Sequence, residues 1–157
     1  MEVAIRKGDI DDLPQVYALI RELAEFERAP QEVTNTLEDM ERDGFGENPI
    51  FKFFVAESAE GIVGIALYYI AYSTWKGRML FLEDLVVTER MRRAGIGRQL
   101  FKAVAQEAKE TGVKRFKWQV LEWNEPAIAF YKKIGANLDG EWINCNMTEE
   151  QIQQFNG

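Results

Sequence analysis

The chain of 157 residues contains no histidine, so the most frequent general base and the most frequent zinc ligand are missing together. Any proton transfer falls to carboxylates, tyrosines, lysines, the lone thiol or water. Cysteine is almost absent as well. Cys145 cannot close an intramolecular disulfide and has no partner for a thiolate metal site, which predicts a reducing, cytoplasmic setting and no metal. No apolar run approaches the roughly 20 residues of a membrane span. The opening residues, MEVAIRKGD, lack the apolar core of a secretion signal and read as a first strand. Positive charge is in deficit: 19 Lys and Arg stand against 26 Asp and Glu, a net charge of −7. A basic footprint for nucleic acid is therefore lacking, whereas a small cationic substrate would be drawn to such a surface. Solubility alone accounts for the acidity equally well. Without repeats, low-complexity tracts or a linker, the length fits one domain over residues 1–157.

What is present alternates between strand and helix patterns. Residues 3–5 read as a strand, and Asp9 with Asp12 and Pro14 as a helix start. Leu13, Val16, Leu19, Ile20, Leu23 and Phe26 recur at helical spacing to about Glu27, with Pro30 as a stop. A weaker helix spans about 36–43, strands follow at 51–57, 62–72 and 78–87, and a helix runs from 96 to about 111. A strand at 115–121 precedes a short helix to Lys133 with Asn124 as its N-cap. A last strand is expected over 141–147, and Thr148 opens a helical tail. This is a mixed α/β (α+β) layer pattern. Two strand-to-helix turns, at Gly95 and Asn124, would point toward the same edge if their strands lie side by side in parallel.

The most informative stretch is Arg92-Arg93-Ala94-Gly95-Ile96-Gly97-Arg98. A glycine-rich turn between strand and helix aims unpaired N–H groups and the positive helix end at one point, which suits a pyrophosphate. The glycines let the backbone come close, and Arg92, Arg93 and Arg98 add charge-assisted donors. A Walker loop would need Lys then Ser or Thr, and a dinucleotide fingerprint would need three glycines; neither is here. What remains is Arg-x-x-Gly-x-Gly.

That pattern resembles the acyl-CoA loop of the GNAT superfamily of N-acetyltransferases. The likeness extends along the chain through LIRELAEFE (19–27), DGFGENP (43–49), YSTWKGR (72–78), LEDLVV (82–87) and EWNEPA (122–127), followed by Phe130, Tyr131 and Lys132. Together these resemble the diamine (spermidine/spermine) acetyltransferases and especially their thialysine-preferring members. The resemblance implies a single domain with a mostly antiparallel mixed sheet, helices on both faces and splayed parallel strands forming an acetyl-CoA cleft. It also implies a homodimer in which C-terminal strands meet across the interface.

By the same resemblance Leu85, Val86 and Val87 bond the pantetheine arm, the loop 92–98 holds the pyrophosphate, and Asn124 lies near the acetyl end. Tyr131 is the matching position for the residue that protonates the leaving CoA thiolate, a role a phenol of pKa about 10 can fill without prior ionisation. The acceptor ammonium, of pKa about 10.4, must lose a proton before it attacks, and Glu83 is the candidate to take it, directly or through water. Phe26 and Glu27 match positions near the amine site, and Trp75 either lines the same groove or only pins the turn before the next strand. Strand alternation would turn Asp84 to the face opposite Glu83, and Glu22 and Glu25 read as solvated helix charges. Ser73 stands where polyamine enzymes carry an acid, and the segment 136–142 is shorter than theirs. The expected activity is direct acetyl transfer from acetyl-CoA to the primary amine of a small molecule in a ternary complex. A CoA-binding sensor and a protein-lysine acetyltransferase remain open readings of the sequence.

Overall fold

The computed structural model describes residues 2–156, and the chain divides into two compact units, Met1–Gln119 and Val120–Gly157. The first unit is a mixed α/β sandwich around a five-stranded sheet in the order β1-β2-β3-β4-β5. Its strands are β1 (Ala4–Lys7), β2 (Lys52–Ser58), β3 (Gly61–Ser73), β4 (Gly77–Val87) and β5 (Arg115–Trp118). β1 to β4 pair antiparallel, and β5 lies parallel to β4.

Period-2 alternation sends the two faces of the sheet to two clusters. Phe53, Val55, Ile65 and Leu67 meet Leu13, Val16 and Leu19 of α1 (Leu13–Phe26) and Met40 of α2 (Leu37–Phe45). Phe54, Ala56, Ala66 and Leu80 meet Ile96, Leu100, Val104 and Ala108 of α3 (Ile96–Glu110). Those four α3 positions repeat every four residues, and each fully buried Leu or Val contributes about 1.5–3 kcal/mol. The helix starts follow local chemistry. Thr36 caps α2 with a reciprocal Asp39 bond, while Asp9 and Asp12 form the same box around a single 3-10 turn just ahead of α1. Arg6 holds the Asp12 carboxylate by two bonds of 2.8 Å and keeps it below the usual carboxylate range.

β4 departs from regular pairing at two places. Its ladder with β3 slips between Leu67 opposite Asp84 and Tyr68 opposite Leu82, which leaves Glu83 as the extra residue of a β-bulge. The bulge is what lets Leu82 and Leu85, three apart, pack against the same α3 cluster. In addition, pairing with β5 ends at Leu82 opposite Trp118, so β4 runs on to Val87 without a β5 partner.

The second unit contains α4 (Glu125–Lys133) and α5 (Glu149–Gln154). Asn124 caps α4 by accepting the Ala127 N–H at 3.3 Å, and Pro126 occupies the first turn. Tyr131 is buried, with 8% of its surface exposed. The strand expected over residues 141–147 is not formed: the segment has no ladder, and Trp142 and Ile143 are 75% and 88% exposed. An alternating pattern makes a segment able to pair, but a strand needs a neighbour to supply its hydrogen bonds.

Candidate active site

Beyond Val87 the chain makes a 3-10 turn (Glu89–Met91), then passes through two left-handed residues, Arg93 at φ 68° and Gly95 at φ 79°, into α3. Gly95 is the residue type that enters this conformation without strain. It provides no side-chain cap to α3, so the first-turn N–H groups stay available to an anion. A Cβ on Gly97 would meet only Val87 Cγ2, at 3.7 Å, so the glycine leaves open approach rather than relieving a clash. Ala94, Gly95, Arg93 and Arg98 are exposed, whereas the Ile96 side chain is in the core and offers a ligand only its backbone. The same holds for Val86, whose side chain belongs to the α1/α2 cluster. Leu85, Val86 and Val87 therefore present backbone groups along the part of β4 that β5 does not cover.

The Arg92 side chain turns back onto β4 and α1. Its Nε–H donates to the Val87 carbonyl at 3.1 Å and its guanidinium lies over the Phe26 ring at 5.2 Å. Glu22, expected to be a solvated helix charge, instead accepts the Thr88 hydroxyl at 2.9 Å and the Glu89 N–H at 3.2 Å. Glu25 is exposed as expected.

The carboxylates of the candidate amine site gather on the α1/α2 face. Tyr69, two residues beyond Leu67 and so on its face, donates its hydroxyl to Glu83 Oε1 at 3.2 Å and stacks on Phe81 at 5.4 Å. Asp84, two residues before buried Val86, shares that face. The expected separation of Asp84 from Glu83 fails because the bulge interrupts the alternation on which it rests. Burial raises the Asp84 pKa, and the nearby Glu83 and Glu27 carboxylates raise it further, to about 7. Burial also raises Glu27, the residue that ends α1. Two acids within electrostatic reach of Asp84, which itself titrates near neutral pH, make a site that gains from receiving a cation. Among the described residues no three acids, thiols or imidazoles converge closely enough to hold a metal ion.

Trp75 and Ser73 do not join this cluster. Ser73 Oγ accepts the N–H groups of Trp75 and Lys76 at 3.3 and 3.1 Å and closes the β3–β4 turn, while Trp75 is 87% exposed at its tip. Gly77 and Glu83 are six positions apart on β4, about 20 Å of extended chain. That length sets Trp75 at the hairpin tip, where the Ser73 bond to its N–H ties it into the turn. In the second unit, burial raises the Tyr131 phenol above its ordinary value and so keeps it neutral. Asn124 acts as the α4 cap.

Sequence reasoning assigned no role to Tyr69, Asp84 or Glu22. Two successive acids inside the apolar run LEDLVV were a local sign of a bulge, since regular alternation would bury one of them. Nothing local marks Glu22, whose partners lie 66 and 67 residues away.

The acetyltransferase (GNAT) family model matches residues 13–136. A thialysine N-epsilon-acetyltransferase of Sus scrofa is 42% identical over 99% of this chain and 98% of its own length. The enzyme of the same name from Mus musculus is 38% identical over 98% of this chain and 96% of its own. Among solved structures, an integron cassette protein of V. cholerae superposes with a TM-score of 0.78 at 27% identity, covering 98% of this chain and 96% of that one. No helix among the described residues is long and apolar enough to cross a membrane. With an uncapped glycine-rich helix start beside an open strand edge, and a family model that spans both, the chain belongs to the GNAT family of acetyltransferases.

Proposed function

We propose that the protein transfers the acetyl group of acetyl-CoA to the primary amine of a small, lysine-like molecule such as thialysine, by direct attack in a ternary complex. The observation that carries this reading is the cluster of Glu83, Asp84 and Glu27 beside the bulge where β4 parts from β5. Residues fit the cosubstrate as well. The open edge of Leu85, Val86 and Val87 suits the amide groups of the pantetheine arm, and the turn Arg93, Ala94, Gly95, Ile96, Gly97 and Arg98 suits its pyrophosphate, with the Arg92 side chain anchoring the start of that turn.

In this reading Asp84 and Glu27 hold the ammonium group, and Phe26 packs its alkyl chain. Glu83 removes one proton, directly or through water, and the freed nitrogen forms a bond to the acetyl carbon as the carbon–sulfur bond breaks. Tyr131 gives its proton to the departing thiolate, which its burial and neutral state support. The new amide nitrogen sheds its second proton, which replaces the one Tyr131 gave up, and Glu83 passes the first to solvent, so the proton count closes. Asn124 stays a helix cap that orients the α4 start.

The exposed apolar side chains of Trp142 and Ile143, on a segment with strand alternation and no ladder, support a homodimer in which this arm pairs with a second copy. The lone thiol supports a cytoplasmic protein. The test is thiol release from acetyl-CoA over a panel of amines. Turnover that rises with lysine-like amines supports the assignment; tight CoA binding with no amine-dependent release would make the protein a sensor instead. Acetylation of lysine peptides in preference to free amines would move the substrate class to proteins.

A further inference from the structure

The cofactor loop is held from behind by a residue of α1. Glu22 Oε1 accepts the Thr88 hydroxyl at 2.9 Å, and Oε2 accepts the Glu89 N–H at 3.2 Å and stands 3.7 Å from the Arg92 guanidinium. One half-buried carboxylate thus fixes three points between the end of β4 and the start of the glycine turn. Arg92 extends the connection in two directions, to the Val87 carbonyl at 3.1 Å and to the face of Phe26. The chain of contacts runs from the strand edge assigned to pantetheine, through the loop assigned to pyrophosphate, to the end of α1 that carries Phe26 and Glu27.

We propose that Glu22 is a positioning residue for acetyl-CoA: it presets the segment 88–92 so that the loop meets the pyrophosphate already formed. The inference rests on the reading of residues 92–98 as the pyrophosphate site. Its physical basis is preorganisation, because a loop fixed by the protein before binding leaves less ordering to be done when the ligand arrives. Contact with Arg92 gives Glu22 an influence on the amine end too, since the guanidinium packed on Phe26 is oriented by the same carboxylate. Glu22 itself faces Thr88, Glu89 and Arg92, and the other tether of this loop, Arg90 to Glu60, attaches to the β2–β3 turn.

The test compares wild type with Glu22→Ala, Glu22→Gln, Thr88→Val and Gly97→Val, using calorimetric binding of CoA and steady-state kinetics. For Glu22→Ala the Kd for CoA and the KM for acetyl-CoA should both rise about 10- to 100-fold, with kcat at saturation within about threefold of wild type. Glu22→Gln keeps an acceptor for Thr88 and should recover part of the loss. Thr88→Val should weaken CoA by itself and add little on top of Glu22→Ala, because both remove the same bond. Loss of kcat and thermal stability together, with KM for acetyl-CoA unmoved, would mean a merely structural residue and overturn the proposal. Should Glu22→Ala not fold, Glu22→Gln and Thr88→Val decide the matter by the same KM shift. Wild-type binding of CoA that is abolished by Gly97→Val but untouched by the Glu22 and Thr88 variants would reject the role of Glu22 alone. A wild type that binds no CoA would reject the loop assignment beneath it.

Discussion

The Tyr69 hydroxyl donates to Glu83 Oε1 at 3.2 Å, at the one position of β4 that has no opposite residue on β3. The bulge frees the carboxylate from the ladder, and the phenol, stacked on Phe81, restricts where it can go. Tyr69→Phe keeps the stacking and removes the bond. An exposed bond to a charged group is worth about 1 kcal/mol, roughly fivefold. The amine kcat/KM should fall by that order while the KM for acetyl-CoA stays constant, which initial-rate kinetics with each substrate varied will check.

Asp84 makes stability depend on pH in an unusual sense. Its folded pKa, about 7, lies above the ordinary value of 3.8. The stabilisation from its bound proton is fully present below pH 4 and is lost as pH rises through 7. Asp84→Asn removes that dependence. The variant should therefore be more stable than wild type at pH 8, by on the order of 2–4 kcal/mol, and should converge with it at pH 4. Thermal melts of the ligand-free protein across that range give the comparison. Amine binding should show the opposite preference, weakening in wild type as pH falls below 7 because a cation needs the ionised carboxylate.

Gly97 stands at the start of α3 with room for a side chain toward Val87. Gly97→Val should therefore fold with a melting temperature near wild type and lose most of the stabilisation that acetyl-CoA confers. Equal ligand-induced shifts in the two proteins would exclude close backbone approach of the pyrophosphate at this turn.

Tyr131 is buried and its phenol is held neutral. General acid catalysis is typically worth about 10²–10⁴-fold. Tyr131→Phe retains the ring, so kcat should drop by that order with CoA affinity nearly intact; an unchanged kcat in stopped-flow or steady-state assays would remove the residue from the mechanism.

Much of the fold was legible because its signals are local. The α3 stripe of Ile96, Leu100, Val104 and Ala108, the Thr36 cap and the Asn124 cap each depend on residues within a few positions. The segment 141–147 was misread because alternation reports what a segment could pair with and carries no information on whether a neighbour is there. Asp84 was misplaced by the single extra residue at Glu83, which reverses every face assignment after it. For Trp75 the sequence leaves a choice between the amine groove and the β3–β4 turn, and only the length of β4, about 20 Å over six positions, shows that it sits at the far end of the strand from Glu83. Glu22 was invisible for a different reason: its partners come from another element, and a helix glutamate is ordinary until Thr88 and Glu89 are placed against it.

The central claim is that a carboxylate cluster at the β4 bulge receives a small amine for acetylation, and the most direct measurement is amine-dependent thiol release by wild type and Glu83→Gln under saturating acetyl-CoA. Thialysine, lysine analogues, short diamines and spermidine should be compared by kcat/KM. The account predicts that the short lysine-like amines match or exceed spermidine, because the proposed site offers one cation-binding cluster, Glu27, Glu83 and Asp84, and the Ser73 hydroxyl is committed to its turn. It also predicts a loss of about 10²-fold or more in kcat for Glu83→Gln. Release that no amine accelerates, a preference for spermidine above tenfold, or full activity in Glu83→Gln would contradict it.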